Sequence, residues 1–394
     1  MTAEQLLATE VVERRQSSES GTVAIIRSSF DRVAPHAEAL GRHFYATLFG
    51  AAPATRDLFP VNMEVQRSRL LRALVHVVQM VDQSEELVPF LQQLGRDHRK
   101  FGVLAEHYDA VGIALIGAIK HFSGAAFTPA VEAAWTEAYG IVAAEMRTAA
   151  AAERGPASWL GRVVSHERIG WDLARITVQA SEAIPYRAGQ YVSVETPQRP
   201  RLWRYLSPAN APRSDGSLDF HVRAVGSGWV SRAIVAHSRV GDTWRIGPPM
   251  GRMSIEPQSS APVLMVAGGT GMAPIKALLE DFTLRPRAPH TQLFVGGRTW
   301  DDLYDFDAVR ELSYDHEWLD IVPVVERDDD GDRFDGRSGA ERGTLADVVT
   351  RYGAWAGHDV LVCGSPSMIR ATVSRMLVAG TPLDRIRYDP FTVD

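Results

Sequence analysis

Residues 263–282 read VLMVAGGTGMAPIKALLEDF, and this stretch decides the fold of the C-terminal part of the chain. Its first five residues are apolar and predict a buried strand, and the turn GGTG follows directly. The remaining residues have helical spacing, and Pro274 suits an early helix position. Glycines in such a turn let the backbone approach a pyrophosphate, and the helix N-terminus offers free N–H donors to it. The stretch therefore predicts a strand–turn–helix unit that binds phosphate groups.

Further strand patterns follow this unit and alternate with helical patterns. The strand patterns are TQLFVGG at 291–297, DIVPVV at 320–325 and DVLVC at 359–363. Alternating strands and helices are typical of a parallel, doubly wound sheet. We therefore expect an α/β doubly wound domain over residues 259–394.

The chain before this region has a different pattern. Residues 153–258 contain short β-rich runs separated by turn residues. Examples of these runs are Leu173–Val178, Tyr191–Val194 and Asp219–Val222. Their spacing predicts an antiparallel β-barrel domain. The run AAAAERGPAS at 149–158 predicts a linker, because its glycine and proline stop helix propagation.

The N-terminal part has helical spacing throughout. From Val23 to Met146, apolar residues recur three and four positions apart. In one such stripe Leu91 and Leu94 lead to His98, which places a histidine on an apolar helix face. We expect an all-α domain over residues 21–152, preceded by an extension of residues 1–20.

Composition narrows the possible functions. The 394 residues predict two or three domains, and the net charge of −6 disfavours nucleic acid as a partner. No apolar run is long enough for stable membrane insertion, and the N-terminus has no signal-peptide pattern, so we expect a cytoplasmic protein. The single cysteine, Cys363, excludes an internal disulfide, a thiolate zinc site and an iron–sulfur cluster held by this chain alone. Any redox chemistry therefore needs bound cofactors.

Short motifs between Trp159 and the C-terminus stand in the order found in one enzyme superfamily. Besides GGTGMAP at 268–274 they are YRAGQY at 186–191, RYLS at 204–207, GWVS at 228–231, GPPMG at 247–251, CGSP at 363–366 and DPF at 389–391. With these motifs the segment resembles the ferredoxin-reductase superfamily. The resemblance implies FAD and either NADH or NADPH as cofactors.

The resemblance also implies roles for single residues. Arg204 would pair with the FAD pyrophosphate, Ser207 would hydrogen-bond the flavin near N5, and Ser231 would contact the phosphates. The remaining FAD positions are Tyr205, Leu206, Gly228, Phe391 at the flavin edge, and the backbone of His221, Val222 and Arg223. The NAD(P) positions are Gly268, Gly269, Thr270, Gly271, Pro274, Arg298, Cys363 and Gly364, of which Thr270 and Cys363 would border the nicotinamide.

Two positions bear on cofactor binding. Leu206 stands where the family usually has a tyrosine that packs on the isoalloxazine. Strand alternation places Tyr205 on the opposite face, so we expect weaker or different packing of the flavin. Arg298 could meet a 2′-phosphate, but Asp301 and Asp302 would oppose it, which favours NADH over NADPH.

Four motifs in the helical part resemble the globin domain of flavohaemoglobins. They are HFYATLF at 43–49, DLFP at 57–60, QRSRLLRAL at 66–74 and LGRDHRKFGVLAEHYDAVG at 94–112. The resemblance implies haem b, with His98 as the proximal iron ligand, Tyr45 as the distal tyrosine and Phe59 as the residue that wedges the haem. Gln66 and Leu70 take the distal positions one turn apart.

The residue types fit this chemistry. A neutral imidazole binds iron and leaves the sixth position open. A phenol O–H and an amide N–H can donate to dioxygen at the haem, which carries partial negative charge. The plain alternatives are that His98 and Tyr45 are ordinary core residues and that Gln66 is an exposed helix residue.

The proximal side departs from the family pattern. Flavohaemoglobins usually link the proximal histidine to a tyrosine and a glutamate, which makes the imidazole more electron-donating. Tyr108 matches the tyrosine, but the glutamate position falls on Ala150. Unless the carboxylate of Glu145 or Glu153 takes the missing place beside the proximal histidine, we expect the haem to have lower catalytic activity. We expect haem binding itself to be retained.

A globin followed by two reductase domains is the flavohaemoglobin arrangement, and it implies nitric oxide dioxygenation. Electrons would pass from NAD(P)H through FAD to the haem, and dioxygen and nitric oxide would leave as nitrate. One alternative is a divergent flavohaemoglobin that acts as a diaphorase, a peroxide reductase or an oxidoreductase for another donor. Another is a haem-based oxygen or redox sensor. All partners expected here are small molecules, and the oligomeric state stays open, with a monomer compatible with the sequence.

Overall fold

The computed structural model describes residues 21–226, 228–327 and 339–389. The extension of residues 1–20 and Phe391 lie outside these described residues. The chain divides into two compact units between Ala157 and Ser158, and each unit is treated by itself below.

The first unit is helical. Residues 21–33 form helix α1. The helices that follow are α2 (Ala37–Ala51), α3 (Glu64–Gln79), α4 (Ser84–His98), α5 (Ala105–Ser123) and α6 (Pro129–Ala152). Short 3₁₀ turns join several of them, including Arg99–Phe101 directly after α4. The expected all-α class is therefore confirmed for this part of the chain.

Local sequence explains where two of these helices begin and end. Helix α6 begins where the Thr128 hydroxyl accepts the N–H of Val131, and Pro129 occupies the first helical position. Helix α4 ends at His98, and the 3₁₀ turn after it stops at Gly102, whose φ of 77° lies in the left-handed region. The end of α4 therefore fixes the position of His98 in the unit.

The apolar side chains of this unit form two clusters. The larger one includes Phe44, Tyr45 and Leu48 of α2 together with Leu74 of α3 and Ile119 of α5. The smaller one is built from Leu87, Leu91, Tyr108, Ala143 and Met146. Close contact between α4 and α6 forms this second cluster: a Cβ on Gly95 would lie 2.3 Å from the carbonyl oxygen of Met146. Only a glycine lets the two helices approach this closely.

The second unit begins with an antiparallel sheet of six strands. The strands are β1 (Trp159–Arg168), β2 (Leu173–Ala180), β3 (Val192–Glu195), β4 (Arg204–Leu206), β5 (Ser217–Arg223) and β6 (Thr243–Ile246). Their order in the sheet is β4-β3-β6-β1-β2-β5. A bridge between Pro208 and Phe220 brings the chain just after β4 to β5, so the sheet is a nearly closed barrel. Helix α7 (Trp229–His237) follows β5 and packs on it.

The rest of this unit is a parallel sheet with helices between its strands. The strands are β7 (Val263–Gly268), β8 (Thr291–Gly297), β9 (Leu319–Val325), β10 (Glu341–Arg342), β11 (Asp359–Cys363) and β12 (Ile386–Arg387). The helices are α8 (Met272–Thr283), α9 (Phe306–Asp315), α10 (Leu345–Tyr352) and α11 (Pro366–Val378). The strand order β10-β9-β8-β7-β11-β12 places β7 and β11 side by side. The expected barrel and doubly wound sheet are both confirmed.

Two buried clusters cover opposite faces of the parallel sheet. Alternate residues of β7 divide between them: Met265 joins the cluster with α8, and Leu264 and Val266 join the cluster with α10 and α11. A sheet buried on both faces has continuously apolar strands, which is why residues 263–267 are apolar throughout. In such sheets ligands bind at the carboxyl ends of the strands, where β7 and β11 are followed by glycine-rich turns.

Candidate functional site

His98 is the last residue of α4 and is half-buried. Its Nδ1 donates a hydrogen bond of 2.7 Å to the carbonyl oxygen of Leu94, one turn earlier on the same helix. Because a carbonyl oxygen can only accept, this bond fixes the proton on Nδ1 and leaves Nε2 with its lone pair. Burial lowers the pKa of His98, which keeps the imidazole neutral. The residue therefore presents the form of histidine that binds a metal.

Tyr45 lies in the larger apolar cluster and is only 5% exposed. Its ring contacts the rings of Phe49 and Phe59, with centroid distances of 5.7 and 5.4 Å. Its hydroxyl donates to the backbone oxygen of Gln66 at 3.4 Å, a long hydrogen bond. Burial raises the pKa of Tyr45 to about 12, so the phenol keeps its proton at neutral pH. The hydroxyl is a weakly engaged donor that can turn to a ligand.

The structure brings the other predicted distal residues to the same place. Gln66 and Leu70 lie one turn apart on α3, and both are half-buried. Leu70 and Phe59 pack against the cluster that contains Tyr45. Tyr45, Phe59 and Leu70 therefore belong to one apolar cluster, and the backbone oxygen of Gln66 borders it through the Tyr45 hydroxyl.

Tyr108 belongs to the smaller apolar cluster of this unit, together with Leu87 and Leu91 of α4, the helix that carries His98. Burial raises its pKa, and the guanidinium of Arg147 lies 5.8 Å from the ring centroid. Ala150 is half-buried in the last turns of α6. The carboxylate of Glu145 accepts a hydrogen bond from Gln92 Nε2 at 3.0 Å, and Glu153 is exposed at the end of the helix. The hydrogen bond from Gln92 thus holds Glu145 against α4 at a point six residues before His98.

Lys100 was not singled out from the sequence, yet its side chain is only 1% exposed. It forms an ion pair with Asp97, with an Nζ–Oδ1 distance of 2.5 Å. Burial lowers the pKa of this lysine, and the Asp97 carboxylate opposes that effect. Charged residues are rarely buried without a partner, and no periodic pattern marks Lys100, because it lies in the 3₁₀ turn after α4.

In the second unit, one cleft gathers residues from the barrel and from the parallel sheet. The predicted cofactor residues that line it are Tyr205, Leu206, Ser207, His221, Thr270, Gly271, Pro274, Cys363 and Gly364. Met253, Ile369 and Asp389 also line the cleft and were not among the predicted cofactor residues. The cleft lies at the carboxyl ends of β7 and β11, which is the position expected for a nucleotide ligand.

The glycine turn allows close backbone approach at this edge. Gly269 has a φ of 55°, which favours glycine. A Cβ on Gly271 would lie 2.3 Å from the carbonyl oxygen of Cys363, so the turns after β7 and β11 are in direct contact. Gly268 ends β7 and Pro274 is the third residue of α8, which leaves the first N–H groups of that helix facing the edge. These features suit a pyrophosphate or a nicotinamide.

Strand β4 supplies one wall of the cleft. Leu206 packs partly against the barrel core, and the ring of Tyr205 lies 5.1 Å from the ring of Tyr191. Tyr205 and Leu206 are both among the described residues that line the cleft. Both residues lie within β4, where Leu206 packs towards the barrel core and the ring of Tyr205 is exposed, as strand alternation predicts.

The remaining predicted FAD residues lie on β5, β4 and α7. Val222 is buried in the barrel core, and Arg223 forms ion pairs with Asp172 and Asp302; neither is among the residues that line the cleft. The half-buried Arg204 lies in β4. Ser231 Oγ donates to the carbonyl oxygen of Gly228 at 3.4 Å in the first turn of α7.

Two acidic residues, Asp389 and Asp302, lie beside predicted cofactor positions of the reductase unit. Asp389 is buried, accepts the N–H of Arg252 at 3.3 Å, and has its pKa raised to about 6 by burial. Asp302 accepts the backbone N–H groups of Arg298 and Thr299 at 3.0 and 3.3 Å. A carboxylate therefore lies directly beside the backbone of Arg298.

Within the described residues, no single helix is long and apolar enough to cross a bilayer; Ser84–Phe101 and Ala105–Ala126 pass that test only as a pair, bent by 112°.

Comparison with known families gives three successive matches. A globin model matches residues 42–146, an oxidoreductase FAD-binding model matches 161–255, and an oxidoreductase NAD-binding model matches 265–374. A flavohemoprotein of Bordetella parapertussis is 31% identical over 286 residues, which is 66% of this chain and 70% of that protein. This chain belongs to the flavohaemoglobin family.

Other members match along nearly the whole chain. A flavohemoprotein of Bacillus subtilis is 24% identical over 390 residues, covering 94% of this chain and 96% of the relative. The flavohaemoglobin of Malassezia yamatoensis, solved with FAD and haem, aligns with a TM-score of 0.76 at 18% identity. That alignment covers 93% of this chain and 98% of the other, and it shows that the two share a fold.

Family membership fixes the cofactors as haem, FAD and a nicotinamide dinucleotide, and electrons pass from NAD(P)H through FAD to the globin. The residues present fit these groups. His98 offers an imidazole nitrogen with a free lone pair, which is what haem iron binds. The cleft offers close-packed glycine turns and a helix N-terminus, which is what a dinucleotide requires.

Proposed function

We propose that this flavohaemoglobin is a nitric oxide dioxygenase, which converts nitric oxide and dioxygen to nitrate at the expense of NAD(P)H. One NAD(P)H supplies two electrons, and each electron turns one nitric oxide and one dioxygen into one nitrate. The observation that supports the proposal is the buried Tyr45 hydroxyl, which keeps its proton at neutral pH and lies beside the backbone of Gln66 in the globin unit. Such donors stabilise negative charge that develops on a bound ligand.

The proposed roles in the globin unit follow from the contacts. His98 binds the iron through Nε2, since Nδ1 is held by Leu94. Tyr45 and Gln66 donate hydrogen bonds to dioxygen in the distal pocket, and Phe59 and Leu70 exclude water from it. Tyr108 packs behind the helix that carries His98. The haem, when bound, supplies the redox chemistry, and these side chains orient its ligands.

The proposed roles in the reductase unit use the cleft. Ser207, Thr270 and Cys363 border the region where flavin and nicotinamide meet. We further propose that the chain is organised as residues 21–152 for haem, 153–258 for FAD and 259–394 for NAD(P), with Arg204, Gly228 and Ser231 contacting FAD phosphates. NADH is the proposed donor, because the Asp302 carboxylate beside Arg298 would repel a 2′-phosphate.

Nitrate yield tests this function. Purified protein under air receives nitric oxide and NADH, and the proposal expects close to two nitrates for each NADH oxidised, with little NADH oxidation before nitric oxide is added. A yield far below this ratio, with fast NADH oxidation that does not respond to nitric oxide, would show that the reductase passes its electrons elsewhere.

A second candidate function, that of a diaphorase, is favoured by the proximal side. Ala150 lacks the family carboxylate, and the carboxylate of Glu145 is bonded to Gln92. Loss of such a carboxylate commonly costs about 10–100-fold in metal-site function. Ala150→Glu should therefore raise nitric-oxide-dependent NADH oxidation by that order and leave electron transfer to an artificial acceptor unchanged. Exposed Ala144, six residues earlier on α6, provides the control Ala144→Glu. If the parent already turns over as fast as Ala150→Glu, the proximal side is not weakened.

A further inference from the structure

His221 of β5 lies between two cavities of the reductase unit. It lines the cofactor cleft together with Ser207 and Thr270. It also lines a second cavity, which lies on the outer face of the barrel and is bordered by Arg175 and Lys276. Among the described residues, only His221 lines both of these cavities. This residue therefore borders both the cofactor cleft and a polar space outside it.

Strand register explains why the second cavity is polar. Glu167 of β1 pairs with Arg175 of β2, and Arg175 pairs with His221 of β5. The side chains of residues directly opposite each other point to the same face of a sheet. A row of ionisable groups thus crosses the outer face of the barrel and ends at His221. Lys276 of α8 borders the same cavity from the parallel-sheet side.

Hydrogen bonds continue this row into the loop before α9. Nδ1 of His221 lies 2.8 Å from the hydroxyl oxygen of Tyr304. The next residue, Asp305, has a side chain that is 1% exposed and forms ion pairs with Arg175 at 2.6 Å and Lys276 at 3.2 Å. Sequence reasoning gave no sign of this cluster, because its members are far apart in the chain.

Several charges decide the protonation of His221. Burial and the cations Lys276 and Arg175 disfavour the imidazolium, whereas the carboxylates of Asp305 and Asp219 favour it. Together they lower the pKa of His221 to about 4. At neutral pH the ring is neutral, so one nitrogen can accept a proton while the other gives one up. Such a ring passes a proton on and does not retain it.

We propose that His221 is the group that transfers a proton between the flavin site and the second cavity. The proposal rests on the proposed placement of the flavin in the cleft. A hydride from NAD(P)H brings two electrons and one proton, but the electrons leave singly to the haem, and the proton stays behind. That proton binds the lone pair of one His221 nitrogen. The proton on the other nitrogen passes to the hydroxyl oxygen of Tyr304. The hydroxyl gives up its own proton to solvent past the ion pairs of Asp305 with Arg175 and Lys276, which border the second cavity, and the ring is neutral again.

Asp389 is the competing acceptor, because it lines the same cleft and is buried. The second cavity, however, is bordered by His221 and not by Asp389 among the described residues. The experiment must therefore separate the two residues.

The test follows the flavin of the full-length holoprotein in an anaerobic stopped-flow instrument. NADH first reduces the flavin, and ferricyanide, a one-electron acceptor, then oxidises it; both phases are recorded in H₂O and D₂O per mole of bound flavin. For His221→Gln we expect the reduction rate to stay within about twofold and the oxidation rate to fall at least tenfold, with a larger solvent isotope effect. His290→Gln is the matched control, since His290 is exposed and precedes β8 at the opposite edge of the sheet.

A second measurement does not depend on turnover. NMR of the histidine-labelled protein should show that Lys276→Met raises the pKa of His221 and that Asp305→Asn lowers it, because one change removes a facing cation and the other a facing carboxylate. If neither variant changes the pKa of His221, Lys276 and Asp305 do not influence its protonation, and the proposal is overturned.

Three outcomes of the stopped-flow test contradict the proposal. An oxidation rate for His221→Gln within twofold of the parent is one. A loss confined to Asp389→Asn is another, and an equal loss in both phases, the sign of a positioning role, is the third. If His221→Gln does not retain FAD, Tyr304→Phe gives the same decision: the oxidation phase alone should slow severalfold. Nitric oxide takes no part in the test, so failure of the proposed dioxygenase function would leave its result unchanged.

Discussion

The globin unit and the reductase unit build their candidate sites in different ways. In the globin unit, His98, Tyr45 and Gln66 lie on helices, and the spacing of apolar residues already places them on inward faces. In the reductase unit, Ser207, Thr270 and Cys363 come from strand ends and turns, which only the topology of two sheets brings together. The buried face of a helix can be predicted from the periodicity of its sequence, whereas functional turn residues can be predicted only from motifs.

The largest expected effect concerns His98, the proposed iron ligand. His98→Ala removes the imidazole nitrogen that is proposed to bind the haem iron, so we expect loss of the haem absorption band while FAD stays bound. His121→Ala is the control, since His121 is an exposed histidine of α5 in the same unit. Absorption spectra of the purified variants decide the matter. A native haem spectrum in His98→Ala would mean that another residue binds the iron.

The distal pocket gives the next largest effect. Tyr45→Phe keeps the ring contacts with Phe49 and Phe59 and removes only the hydroxyl. A hydrogen bond to a charged group is worth about 1.5–3 kcal/mol, so oxygen should dissociate roughly ten- to a hundredfold faster. Tyr314→Phe is the control, because Tyr314 is a largely exposed tyrosine. An unchanged dissociation rate, measured by flash photolysis or ligand exchange, would make Tyr45 an ordinary core residue.

Some features of the molecule can be predicted from its sequence, and others cannot. The fold class and the approach of Tyr45 to Gln66 follow from helical spacing and family motifs. The bond between Gln92 and Glu145, the buried Lys100 and the contact of His221 with Tyr304 do not. Each of these depends on how two elements pack, or on a turn without periodicity. Hydrophobic patterns specify which face is buried but not which polar groups meet there.

The glycine turn of the reductase unit gives a smaller effect that is purely steric. In Gly271→Ala the new Cβ would lie 2.3 Å from the backbone oxygen of Cys363, which cannot rotate away. Overpacking of this kind costs about 1–3 kcal/mol, so we expect a lower urea midpoint and weaker cofactor binding. Gly357→Ala is the matched control, since a Cβ there meets nothing within 4 Å. Equal midpoints for the two variants would show that the turns after β7 and β11 do not depend on their close contact.

The smallest expected effect is at Leu206, where the family usually has an aromatic residue. Leu206 lines the cleft and packs partly on the barrel core, so a tyrosine there would place a ring beside the flavin site. An aromatic pair contributes about 0.5–1.5 kcal/mol beyond the area that it buries, which corresponds to a several-fold change in affinity. We therefore expect Leu206→Tyr to lower the FAD dissociation constant several-fold and to leave the oxygen dissociation rate unchanged. Leu202→Tyr is the control, because Leu202 packs on the same barrel core but is not among the residues that line the cleft. Since Tyr205 also borders the cleft, an unchanged FAD affinity in Leu206→Tyr would indicate that Tyr205 already supplies the aromatic contact and that the family position has moved by one residue.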